Sequence, residues 1–118
     1  MKLLLALACT TCLMDNAAAA DTHTVTLAAG KGHEACMDLK SGDRLEYGFS
    51  ASNKLAFNLH FHDGDRVEMP VPESLQDKVP AGSHVAAITQ HYCLMWTNPH
   101  QSASQLAYRY QVVPAAQP

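Results

Sequence analysis

The chain has 118 residues, eight Lys and Arg against eleven Asp and Glu, and a formal net charge of −3. A chain this short builds one domain around one core. It shows no basic stripe, which argues against a nucleic-acid or anionic-membrane binder.

Residues 1–20 read as a removable secretory signal peptide. Lys2 precedes the apolar run 3–14, and Ala17 to Ala20 supply an Ala-x-Ala ending at Ala18 and Ala20. A lipid anchor is not expected, because neither Cys9 nor Cys12 follows a Leu-small-small triplet. The expected domain is residues 21–113, with a flexible tail at 114–118. No later apolar run approaches the ~20 residues of a membrane span. The expected location is therefore the periplasm or the cell exterior. In that oxidising setting the two remaining cysteines, Cys36 and Cys93, are expected to form one disulfide; they do not make a Cys-x-x-Cys redox pair.

Beyond the leader the dominant period is two, the signature of strands. Weak strand patterns occupy 24–28 and 34–39. Leu45, Tyr47 and Phe49 then alternate with Arg44, Glu46 and Gly48. Leu55, Phe57, Leu59 and Phe61 alternate with Ala56, Asn58, His60 and His62. Further weak patterns cover 66–71 and 84–89. Tyr92, Leu94 and Trp96 share one face, and Leu106, Tyr108, Tyr110 and Val112 form the last apolar face. Turn signals separate these runs at Gly30-Lys31-Gly32, Ser41-Gly42-Asp43, Ser52-Asn53-Lys54, Asp63-Gly64-Asp65, Pro80-Ala81-Gly82 and Asn98-Pro99. Asp63-Gly64 is a hairpin signal. The proline-rich stretch 70–80 predicts an irregular crossover with a helical turn at 73–78. Seven or eight short strands of this kind predict an antiparallel two-sheet β-sandwich with one disulfide.

The order of landmarks is informative: Cys36, then Gly42-Asp43-Arg44-Leu45-Glu46-Tyr47, then 55–64, then Tyr92-Cys93-Leu94-Met95-Trp96-Thr97-Asn98, then a last alternating strand. Over about residues 30–113 this resembles the GOLD (Golgi dynamics) domain, a β-sandwich used in protein recognition. The resemblance implies a sandwich, a Cys36–Cys93 bond and a binding role. Nothing after Val113 reads as a coiled coil, a membrane helix or a sorting tail, so a role in vesicle trafficking is not carried over.

Several residues invite chemistry. His60 and His62 lie two apart on one strand, with about 7 Å between their Cα atoms, and suit two ligands of a copper or zinc site. Their plainer role is a solvated polar face opposite Phe57, Leu59 and Phe61. A blue-copper site is not expected, because no methionine follows His100 and Cys93 already has a partner. Tyr92 and Trp96 are either core aromatics beside the disulfide or an exposed contact for a partner. No serine sits in a nucleophile-elbow motif, no glycine-rich phosphate loop opens a helix, and Asp63 and Asp65 lack the other ligands of a calcium loop. The expected function is a non-enzymatic module that binds a protein or small ligand without a cofactor. The alternative is a periplasmic copper- or zinc-binding protein using His60 and His62.

Overall fold

The structure is a computed structural model and describes residues 20–116. The expected signal peptide, Ala20 apart, lies outside the described residues, as does the end of the tail. Six strands occur in chain order: β1 (His23–Leu27), β2 (Gly32–Leu39), β3 (Arg44–Asp63), β4 (Arg66–Val85), β5 (Gln90–Thr97) and β6 (Ser104–Val113). There is no helix among the described residues.

The all-β, antiparallel expectation holds, but the two separate sheets do not. All six strands belong to one sheet in the order β1-β6-β3-β5-β2, with β4 paired to β3. β3 is the reason: it joins two stretches that the turn signal Ser52-Asn53-Lys54 divides in the sequence pattern. Its first half, from Arg44 to Ala51, pairs with β6, and its second half, from Ala56 to Phe61, pairs with β5. β4 runs along the other edge of both halves. Between Ser50 and Leu55 the register against β4 slips, and this slip marks a corner. In a flat strand Phe49 and Phe57 would lie about 27 Å apart at ~3.4 Å per residue. Their ring centroids are 4.7 Å apart, so the sheet folds back on itself at the corner.

This folding brings the two apolar faces together. Leu45, Tyr47 and Phe49 of the first half meet Leu55, Phe57, Leu59 and Phe61 of the second, with Tyr92, Leu94 and Trp96 of β5 and Leu106 and Tyr108 of β6. Trp96 stands 4.7 Å from the Tyr108 ring and 5.6 Å from those of Phe49 and Phe57. Tyr92 and Trp96 are 1% and 0% exposed, which corrects their reading as a partner-contacting pair: they fill the core instead. Cys36 and Cys93 face each other in register on β2 and β5 and are bonded.

β4 is the second departure. The stretch 70–80 is strand, with neither a crossover nor a helical turn. Pro70, Pro72 and Pro80 are accommodated because each lies in a segment where β4 carries one residue more than β3: between Glu68 and Val71, between Val71 and Ser74, and between Val79 and Gly82. A proline cannot donate to a ladder, and an edge strand with bulges is where it is tolerated. The weak 84–89 pattern ends as strand at Val85.

Local devices fix the frame. Gly64 has φ +59° and opens the two-residue turn between Asp63 and Arg66; no non-glycine residue among those described has positive φ, so the turn is of type II′. Gly48 leaves room on β3 for the Arg109 guanidinium, which crosses from β6 to donate to the Pro80 carbonyl at 2.5 Å. Asn98, fully buried, donates to the carbonyls of Leu27 and Ser102 and accepts from the His100 amide. It thereby ties the β1–β2 connection to the β5–β6 connection. The tail is held at its start, because the Ala115 amide donates to Asp43 Oδ1 at 3.2 Å.

Candidate functional site

Two surfaces stand out, and both follow from the strand register. The first is the polar outer face of β2, β5 and the second half of β3. Alternation sends Phe57, Leu59 and Phe61 inward and Asn58, His60 and His62 outward. In register, His60 lies beside Cys93, which lies beside Cys36, so the disulfide floors this face. Glu34 and Asp38 rise from β2 and His91 from β5. His91 Nδ1 donates to Asp38 Oδ1 at 2.8 Å, a pair exposed on both sides and therefore weak.

His60 departs from the sequence expectation. It faces outward, as the alternation requires, yet it is 4% exposed, whereas His62 is exposed. It is covered because it sits in the middle of the sheet, flanked by Asn58, His62 and Cys93 and opposite the bulge of β4 between Glu68 and Val71. Asn58, 2% exposed, accepts from His60 Nδ1 at 2.8 Å. The two buried polar groups thus satisfy each other, which offsets the cost of removing them from water. Sequence periodicity identified His60 and His62 but not Glu34, whose carboxylate comes within 3.6 Å of His60 Nε2 only through the β2–β5–β3 pairing.

The second surface is β4. Among the described residues it pairs with β3 alone, leaving its other edge without a strand neighbour. Val67, Met69, Leu75 and Val85 on it are 44% to 59% exposed, and Ile88 follows just beyond its end. Val67, Leu75 and Val85 oppose His62, Ala56 and Arg44 of β3, so all three stand on the outer side of the sheet. The inward residues Val71 and Val79, opposite Leu59 and Phe49, pack on the core instead. Sequence reasoning missed this surface because the prolines removed 70–80 from the sheet. The isolated Leu75 among Glu73, Ser74, Gln76, Asp77 and Lys78 was its available signal.

One titrating group couples β4 to stability. His84 opposes Leu45, its ring 6.2 Å from that of Tyr92, and burial holds its imidazole below the ordinary value of 6.5. The unfolded chain therefore takes up this proton first as pH falls. The stability contributed by the neutral ring is complete above the unfolded value and lost as pH falls through the folded one. Urea midpoints measured from pH 7 to pH 5 are expected to decline less steeply in His84→Gln than in the parent; equal slopes would contradict this.

No helix among the described residues is long and apolar enough to cross a membrane. No protein-family model matches the chain, the Golgi dynamics domain included, and no curated protein matches it. Solved structures do share its architecture. The crystal structure of PirA superposes with a TM-score of 0.53 at 10% identity, covering 76% of this chain and 93% of that one. The crystal structure of Aeromonas hydrophila PliG, a periplasmic lysozyme inhibitor of g-type lysozyme, gives 0.53 at 12% identity, over 78% and 86% of the two chains. A de novo designed double-stranded β-helix gives 0.41 at 15% identity, over 77% and 99%. At such identities the likeness to PirA and PliG is one of fold, and the third match carries no argument.

Proposed function

We propose that this protein is an extracytoplasmic, non-enzymatic module that recognises another protein through the outer side and free edge of β4. The carrying observation is that, among the described residues, four of the five large apolar side chains most exposed to solvent lie on this one edge strand. Natural edge strands are normally short, charged or covered, because unpaired backbone groups recruit other chains. Here the three proline-bearing bulges interrupt the edge, and the proline-free stretch 73–79, which carries Leu75, lies between two of them and bends opposite the Ser50–Leu55 corner. A partner strand adding there would gain main-chain hydrogen bonds, and an apolar pocket on the partner would take Leu75. The Cys36–Cys93 bond fits a protein that works outside the cytoplasm. PliG, which shares the fold, is by its description a periplasmic inhibitor and so a binder of a protein.

The test compares the parent with Leu75→Asp as immobilised baits in extracytoplasmic extract, with purified g-type lysozyme as a separate arm. Leu75 is exposed, so the change should alter stability by no more than about 0.5 kcal/mol. The expected result is a protein held by the parent and released by the variant. Identical captured sets on both baits would count against the proposal.

A further inference from the structure

We propose that the outer face of β2, β5 and β3 holds a divalent transition-metal site, zinc being the reference ion, built from the Glu34 carboxylate, His60 Nε2 and the His62 imidazole. An amide oxygen only accepts, so the 2.8 Å contact with Asn58 Oδ1 places the proton of the neutral ring on His60 Nδ1. The lone pair is then on Nε2, and Nε2 faces a Glu34 carboxylate oxygen at 3.6 Å. That separation is too long for a hydrogen bond between them. It matches two donors on one tetrahedral zinc: bonds of about 2.0 to 2.2 Å put nitrogen and oxygen about 3.4 Å apart.

The Asn58 contact is the kind of outer partner that fixes the tautomer and aim of a metal-bound histidine. His60 is 95% buried at its side chain and cannot swing away, whereas Glu34 is 44% exposed and free to adjust by tenths of an ångström. His62 supplies the third donor only once its side chain turns, since its ring nitrogens do not lie within 4.8 Å of both the Glu34 and the His60 donor atoms. It projects from the same face two residues on, its ring centroid 5.3 Å from that of His60, and an exposed side chain turns at little cost. Cys93 Sγ also lies within 4.8 Å of the Glu34 and His60 donor atoms, but in a disulfide it is no thiolate. The donor set is therefore two imidazoles and a carboxylate, which suits zinc and, more tightly, copper(II). This site adjoins the β4 outer side, where His62 opposes Val67, but it uses no β4 side chain, so its failure would leave the β4 proposal standing.

The experiment titrates ZnCl2 into the disulfide-bonded protein by calorimetry, with imidazole nitrogen shifts followed by NMR. One zinc per chain is expected, with His60 Nε2 shifting and His60 Nδ1 remaining protonated. Glu34→Gln and His62→Gln should each weaken binding at least tenfold while the metal-free far-ultraviolet spectrum stays unchanged. His91→Gln, on the same face outside the donor set, should bind as the parent does. Both weakening variants change exposed residues, so the test does not depend on a buried substitution folding. Absence of one-to-one uptake, or an equal loss in His91→Gln, would overturn the proposal.

Discussion

Phe57→Ala is expected to destabilise the protein by about 3 to 5 kcal/mol, the cost of truncating a large core aromatic. Phe57 is 1% exposed and sits where the folded sheet closes, its ring 5.6 Å from Tyr47, 4.7 Å from Phe49 and 5.6 Å from Trp96. Tyr47 and Phe49 come from the other half of the same strand. The lost contacts are therefore those that hold the two halves of β3 face to face. Urea denaturation would measure the loss, and a double-mutant cycle with Phe49→Ala should show that the two changes are not additive. A loss below about 1 kcal/mol would mean that the halves are not closed on this ring, since surface changes stay within that limit.

Removing the crosslink is expected to have a comparable effect. The disulfide spans a sequence separation of 57, for which the chain-entropy account gives about 4 kcal/mol. That is a large share of the ~5 to 15 kcal/mol that keeps a domain folded. The double variant Cys36→Ala with Cys93→Ala should therefore melt far below the parent, and the parent under reducing conditions should melt close to the variant. Native protein without reductant should show no thiol reactive at Cys36 or Cys93. Two reactive thiols in that state would contradict the bonded pair.

Much of the fold was legible because alternation of apolar residues is a local property. The inward sets on β3, β5 and β6 follow directly from the period of two, and Asp63-Gly64 marked the hairpin between β3 and β4. What a local pattern does not carry is continuity. Ser52, Asn53 and Lys54 look like a chain reversal, yet they form a corner inside one strand, because the hydrogen-bonded neighbour on one side changes there from β6 to β5 while β4 continues on the other. Pro70, Pro72 and Pro80 looked incompatible with a sheet for an equally local reason. Bulges on an edge strand absorbed all three, and whether a strand is an edge depends on the whole topology. The same holds for the candidate sites. His60 and His62 were visible as a pair, but Glu34 is 26 positions away in sequence from His60 and reaches it through two strand pairings. Burial of His60 was equally hidden, since periodicity assigns a face and says nothing of how far its neighbours cover it.

The recognition surface is tested most directly by amide hydrogen exchange along β4, first in the free protein and then with the protein captured by the parent and released by Leu75→Asp. In the free protein, the amides of 73–79 that make no bond to β3 should exchange rapidly. In the complex those same amides should become protected, as they would on donating to an added strand, while the outer faces of β1 and β6 stay unchanged. Protection confined to β1 and β6, with 73–79 exchanging as fast as before, would contradict recognition through the β4 edge.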